Sequence, residues 1–252
     1  MKNYYSRKDF YYMDIKEFKE EIEKYLNVLK IELEEKQIKQ LYEYMNLLIE
    51  WNKNINLTAI VEPKEIILKH FVDSLTISKY ITKNSNLIDI GTGAGFPGIP
   101  LKILRNDIDI TLVDSLNKRI KFLEEVIEKI NLNNIKAVHG RAEEIGKNTN
   151  YRETFDYATS RAVANIATLS EYLIPLIKKN GKCIYMKGPD LEEELEKGKK
   201  AISVLGGNLE IKEEFELPYS DIKRTIIIIE KKKNTPTKFP RKPGTPSKEP
   251  IE

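Results

Sequence analysis

The 252-residue sequence contains one cysteine, Cys183, and two histidines, His70 and His139. A single thiol excludes a disulfide framework and any cysteine-based zinc site, and two imidazoles leave little for other transition-metal centres. No metal is expected. Long apolar runs are also missing, since nothing approaches the ~18 to 20 consecutive apolar residues of a membrane span. The longest uncharged block, Ile90 to Leu101, is dense in Gly and Pro and reads as a loop. The opening MKNYYSRKDFYYM has no apolar signal region, which argues against secretion and makes the cytoplasm the expected compartment.

What is present is an ordinary globular composition, with 40% hydrophobic and 32% charged residues, which excludes fibrous and wholly disordered classes. The net charge is +3, but Lys231 to Glu252 alone carry seven Lys/Arg against two Glu, so residues 1–230 sum to −2. A polyanionic partner fits this tail, and so does a solvated lysine run.

Residues 14–30 carry Ile15, Phe18, Ile22, Leu26 and Leu29 at helical spacing, and Glu34 to Asn52 repeat the pattern through Ile38, Leu41, Tyr42, Met45, Leu48 and Ile49. WNKNINLT then favours a turn, and Pro63 opens a third helix to about Tyr80. Residues 1–83 therefore read as a helical cap. From Asn86 short apolar strands alternate with amphipathic helices, the pattern of a mostly parallel sheet covered on both faces. Strands are expected at 87–90, 110–114, 135–140, 155–160, 181–188, 209–215 and 224–230, with helices starting at PLKILR and spanning 117–130, 162–178 and 191–205. This α/β core covers residues 84–230. The remaining 231–252, with NTPTKFPRKPGTPSKEP, is expected to be a basic, Pro-rich, extended and weakly ordered tail.

DIGTGAGFPG lies where a strand meets a helix, the position at which α/β sheets bind nucleotides. Gly91, Gly93 and Gly95 permit a tight turn and close backbone approach to a ligand. A dinucleotide fingerprint would need Gly at position 96, which holds Phe96, so a nicotinamide oxidoreductase is disfavoured. The G-x-G-x-G form is the one associated with S-adenosylmethionine. An acid should end the next strand to accept hydrogen bonds from ribose hydroxyls, and Asp114 stands there, 23 residues after Gly91. A helix N-cap is the plain alternative for Asp114.

The order DIGTGAGFPGIPL, VDSLNKRIKFLEEV, GRAEE, TSRAVA and YMKGP resembles the ribosomal RNA small subunit methyltransferase G family, also called glucose-inhibited division protein B. WNKNINLT and LKHFVDSL resemble that family's helical cap, and TPTKFPRKPGTPSKEPI resembles the ending of its Gram-positive members. The resemblance implies a class I, Rossmann-like methyltransferase that moves the methyl of S-adenosyl-L-methionine to N7 of one guanine in bacterial 16S ribosomal RNA. It implies cofactor contacts at Gly91, Phe96, Ala142, Glu143 and Arg161, to which the loop and ribose arguments add Gly93, Gly95 and Asp114. The expected partner is 16S rRNA, the small ribosomal subunit or an assembly intermediate of it, with no membrane and a monomeric chain.

Guanine N7 carries a free lone pair, so the reaction needs no general base and no catalytic side chain is nominated. Alignment of the reactants can contribute ~7 to 11 kcal/mol. Arg141, Arg161 and Lys187 follow successive strands, and Lys118 and Arg119 open a helix nearby, so all five are candidates for RNA phosphates as well as for ordinary surface charges. His70 and Asp73, three apart on one helix, could face the site mouth or simply pair on the helix surface. His139 reads as structural, Trp51 and the second-helix tyrosines as core in preference to base readers, and Cys183 as inert packing. Two other functions compete: the same fold acting on a small molecule or protein, and a non-catalytic RNA-binding or ribosome-assembly factor that keeps the fold as a scaffold.

Overall fold

The computed structural model describes residues 13–161 and 163–251. MKNYYSRKDFYY, Ala162 (within TSRAVA and at the expected start of the 162–178 helix) and Glu252 lie outside the described residues.

Helix α1 (Ile15–Leu29) begins at a capping box in which Asp14 accepts from the amides of Lys16 and Glu17 while Glu17 reaches back to the Asp14 amide. Its stripe of Phe18, Ile22, Tyr25 and Leu26 is buried. Helix α2 (Glu35–Asn52) buries Ile38, Leu41, Tyr44, Met45 and Leu48, and Asn52 closes the following turn by accepting from the amides of Leu57 and Thr58. The third expected helix is one helical stretch of mixed pitch. Helix α3 (Pro63–Ile66) passes into a π-helical segment Ile67–Val72, then α4 (Asp73–Leu75), then a 3-10 turn at Ser78–Tyr80.

The sheet has seven strands among the described residues, in the order β3-β2-β1-β4-β5-β7-β6. They are β1 (Asn86–Ile90), β2 (Asp109–Asp114), β3 (Ile135–His139), β4 (Phe155–Arg161), β5 (Ile177–Lys187), β6 (Gly207–Glu216) and β7 (Lys223–Lys231). Strands β1 to β5 pair in parallel, and β7 runs antiparallel to both β5 and β6. This is the mostly parallel sheet with helices on both faces that the sequence leads one to expect. Helices α5 (Gly98–Leu104) and α6 (Asn117–Lys129) join α1 and α2 on one face. Helices α7 (Ala142–Lys147), α8 (Ile166–Leu173) and α9 (Glu192–Val204) cover the other. The period-2 rule is visible in β7, where Ile226 and Ile228 enter one core and Ile227 and Ile229 the other.

The helical layer and the sheet share one core. Tyr44 lies 5.4 Å from Phe71, 5.5 Å from Phe96 and 6.4 Å from Phe122, and its hydroxyl donates to the carbonyl of Ala94 in the glycine turn. Each such ring contributes about 1.5 to 3 kcal/mol by burial, so α2 braces that turn from beneath. Trp51 packs on Phe122 at 5.6 Å, and Cys183 is fully buried, with burial pushing its thiol pKa up. No helix among the described residues is long and apolar enough to cross a membrane.

Two expectations need correction. The helix expected over 162–178 is shorter: α8 starts at Ile166, capped by the Asn165 side chain accepting from the Thr168 amide, and it gives way to a 3-10 turn at Pro175, which has no N–H to continue it. The chain is already strand β5 by Ile177. The C-terminal segment is also not loose. Phe239 is buried in the second core, Arg241 makes a bidentate ion pair with the buried Glu171, and Thr245–Lys248 form the short helix α10. Lys231 is fully buried at the end of β7, its ammonium held by Glu153 and two backbone carbonyls, so part of the tail's positive charge is structural.

Candidate functional site

Strands β1 and β4 are neighbours whose onward connections run to opposite sides of the sheet. At such a reversal, outside the carboxyl ends of the strands, α/β sheets leave a crevice. A cleft of about 920 Å³ opens there, within the range of nucleotide-sized ligand sites.

The turn after β1 forms its floor. Gly91 and Gly93 have φ of +68° and +63°, a left-handed backbone that favours glycine. The amides of Gly91 and Thr92 both donate to the carbonyl of Val113, carrying the turn across the end of β2. Asp89 pins the turn at two points, its Oδ2 accepting from the Thr92 hydroxyl at 2.6 Å and from the Gly98 amide at 3.0 Å. Complete burial pushes its carboxyl up to about 7 against those two hydrogen bonds. Asp114 pins the middle: Oδ2 accepts from the Gly93 amide at 3.0 Å and from Arg119 Nη1 at 3.1 Å, while Oδ1 accepts from the Leu116 amide. Asp114 therefore faces the cleft as expected and also builds its floor.

Gly93 and Gly95 do different things. At Gly93 a Cβ would meet nothing closer than the Gly91 carbonyl at 4.0 Å, so this residue presents open space to the cleft. At Gly95 a Cβ would lie 2.5 Å from Ile99 Cδ1 and 2.9 Å from the Tyr44 hydroxyl. Gly95 faces the helical layer and is not among the residues lining the cleft.

A second wall comes from the helical layer and the end of β4. The Arg161 guanidinium stands 4.9 Å from the ring centre of Phe96, and the His70 ring stacks on Phe96 at 4.4 Å. Arg161 donates to Asp73 at 3.1 Å and to His70 Nδ1 at 3.1 Å. Arginine is donor-only, so Nδ1 is the acceptor and the ring proton sits on Nε2, which donates to the Thr58 hydroxyl at 2.9 Å. Burial, with Arg161 alongside, pushes the imidazole down to about 3, so His70 stays neutral. Asp73 also accepts from Arg224 Nε at 3.1 Å. His70 and Asp73 thus face the site, and both are spent on internal partners. The π-helical pitch over Ile67–Val72 sets this local arrangement, a feature often found where a helix carries function.

The third wall follows β3. Ala142 and Glu143 open α7, and the buried Glu143 accepts from the amide of Gly244 at 2.8 Å. Of the cations proposed for RNA, Lys118 and Arg141 are exposed, Arg141 on the cleft rim and Lys118 beyond it. The other three are held by acids: Arg119 by Asp114, Arg161 by Asp73 and Lys187 by Glu194 at 2.6 Å. His139 is exposed with Nε2 3.0 Å from the Ser115 carbonyl. Among the described residues no group of His, Cys, Asp and Glu could hold a metal ion.

Thr58, Lys69, Arg224, Gly244 and Ser247 also line the cleft, and sequence reasoning did not select them. Thr58 lies in WNKNINLT and Gly244 and Ser247 in the C-terminal motif, so the signal existed as resemblance but not as chemistry. Arg224 sits in a β-strand whose pattern gives no hint that it reaches Asp73.

These residues fit a nucleoside-bearing sulfonium cofactor. The floor has glycine space at Gly93, an acid at the end of β2, and a buried donor, Arg119 Nε, with no hydrogen-bond partner among the described residues.

Comparison with known proteins gives a consistent picture. A family model described as rRNA small subunit methyltransferase G matches residues 37–220. The ribosomal RNA small subunit methyltransferase G of Desulforamulus reducens is 54% identical over 225 residues, covering 88% of this chain and 94% of the relative. That of Clostridium novyi is 52% identical, covering 88% and 92%. Among solved structures, the YcgJ protein from Bacillus subtilis aligns with a TM-score of 0.50 at 14% identity, over 65% of this chain and 99% of that one, a likeness of fold alone.

Proposed function

The chain belongs to the rRNA small subunit methyltransferase G family, and from that premise we propose that it methylates N7 of a guanine in 16S ribosomal RNA, holding S-adenosyl-L-methionine in the cleft over Gly91, Gly93, Phe96, Asp114, Ala142, Glu143 and Arg161. The observation that carries this reading is the convergence of those motif positions on one cleft at the reversal point of the sheet.

When bound, the cofactor supplies a methyl group on a sulfonium that the N7 lone pair attacks directly, leaving the thioether product and a methylated purine. The protein's task is to place and shield the reactants. The site supports this division of labour. Both nitrogens of His70 are occupied and its imidazole is neutral, so it offers no general base where none is required. Thr58 Oγ1 accepts from His70 Nε2 and from the Ile60 amide, which commits its lone pairs and leaves its own proton as a donor beside the cleft. Asp73 neutralises one of two guanidiniums, so the Arg161–Asp73–Arg224 group holds one net positive charge near the mouth, where an RNA backbone would approach. The exposed Arg141 extends that field along the rim, and the exposed Lys118 beyond it.

All these side chains come from one chain, so a monomer suffices, and the substrate is a cytoplasmic RNA, free or in a subunit. The test is transfer of labelled methyl from S-adenosylmethionine to small-subunit RNA lacking the modification, offered naked and as whole subunits. Incorporation into either form supports the reading. A protein that binds the cofactor yet labels neither form has another acceptor.

A further inference from the structure

The C-terminal segment is held against the α7–α8 face at three independent points. The Arg241 guanidinium and backbone amide all donate to the Glu171 carboxylate, which is 1% exposed. Arg152 donates to the carbonyls of Thr235 and Phe239 at 2.8 Å each. The buried Thr168 hydroxyl donates to the carbonyl of Pro246 at 3.0 Å. A loose basic tail would need none of these, and a buried carboxylate such as Glu171 requires its partner.

The anchors fix where the segment ends up. Gly244 and Ser247 line the cleft near Ala142 and Glu143, and the Gly244 amide donates directly to the Glu143 carboxylate. Gly244 has φ of +83° with no heavy atom within 4 Å of a would-be Cβ, and Ser247 is exposed. The strap therefore reaches the wall of the cleft at Ala142 and Glu143, which follows β3, the strand paired with β2, whose last residue Asp114 is the acid expected to meet the ribose.

We propose that Gly244–Ser247 form the outer wall of the nucleoside end of the cofactor pocket, with Ser247 against the bound nucleoside and Gly244 positioning Glu143. This rests on the cofactor reading above. The wall belongs to the C-terminal segment and not to the Rossmann-like core, so the segment is a working part of the cofactor site, placed by the Arg241–Glu171 clamp.

The test uses the full chain, because removing the strap would strand the buried Glu171 and threaten folding. Cys183 is the only cysteine and is buried, so an introduced thiol reacts with a maleimide against a silent background. Ser247→Cys is compared with Lys238→Cys, an exposed position on the same segment that does not line the cleft. With S-adenosylhomocysteine at about 100 times its Kd, labelling of Ser247→Cys should slow about tenfold or more while that of Lys238→Cys is unchanged. Protein labelled beforehand through Ser247→Cys should bind S-adenosylhomocysteine at least about tenfold more weakly than protein labelled through Lys238→Cys. Equal labelling rates with and without ligand, in protein shown by titration to bind it, overturn the wall and leave the cofactor reading intact. Failure of the wild-type chain to bind S-adenosylhomocysteine at all overturns both.

Discussion

The carboxylate of Asp114 accepts a hydrogen bond from the amide of Gly93 at 3.0 Å, so the end of β2 and the turn after β1 form one piece of structure. An acid expected to meet a ribose is also the post on which the glycine turn hangs.

Asp114→Asn should therefore weaken cofactor binding more than the loss of a single ribose hydrogen bond. The amide side chain keeps one oxygen for three donors and removes the charge opposite Arg119, and a hydrogen bond to a charged group is worth about 1.5 to 3 kcal/mol. The expected result is a roughly 10- to 100-fold rise in the Kd for S-adenosylhomocysteine by calorimetry. An unchanged Kd would remove Asp114 from the site.

Gly93→Ala and Gly95→Ala should separate by the property they damage. Alanine at 93 has room but is forced into a left-handed backbone at the cleft, a strain of about 1 to 2 kcal/mol, and should lower cofactor affinity with a smaller fall in Tm than alanine at 95. Alanine at 95 collides with Ile99 and the Tyr44 hydroxyl, and overpacking of that kind costs about 1 to 3 kcal/mol beyond any backbone strain. Its signature is a Tm lowered by several degrees. Equal Tm values for the two variants would contradict this assignment.

The difference between those two glycines marks how far the sequence could be read. Strand and helix positions were legible because apolar periodicity is imposed by the two faces of the sheet, and the turn and its acid were legible because G-x-G-x-G followed by a strand-ending Asp has few other uses. That Gly95 faces Tyr44 was not legible, since spacing does not reveal which side of a turn a Cα presents. The π-helical pitch around His70 was also hidden, because one extra residue in a turn leaves the apolar stripe nearly unchanged. The C-terminal segment misled for a compositional reason. Proline and lysine suggested disorder, whereas its order comes from specific partners, Glu171, Arg152 and Thr168, that lie 70 or more residues away.

Acid should destabilise the fold through His70. Its folded pKa of about 3 lies below the unfolded value of 6.5, so between these pH values the unfolded chain takes up a proton that the native state refuses. The stability tied to the neutral ring is present above pH ~6.5 and is lost as pH falls toward ~3. Between pH 7.5 and 5 the loss from this group is about 2 kcal/mol. In urea unfolding, His70→Gln should flatten that pH slope. A slope identical to the wild type would show that the ring is not buried neutral.

Lys118→Ala and Arg141→Ala should each reduce the salt dependence of RNA binding, by about 0.7 in the log–log slope for each phosphate no longer neutralised. Lys187→Ala should change the slope less, because Lys187 is paired with Glu194. Filter binding across a salt series reads all three directly. A Lys187→Ala effect equal to the other two would mean that its ion pair opens to RNA.

The most direct test of the central claim is to map the product. Small-subunit RNA from a strain lacking this modification, incubated with the protein and S-adenosylmethionine, would be digested and read by mass spectrometry. The account predicts one added methyl, on N7 of a single guanine, abolished by Gly93→Val in protein that remains folded. A methyl on any other atom, or undiminished methylation by the Gly93→Val protein, would contradict it.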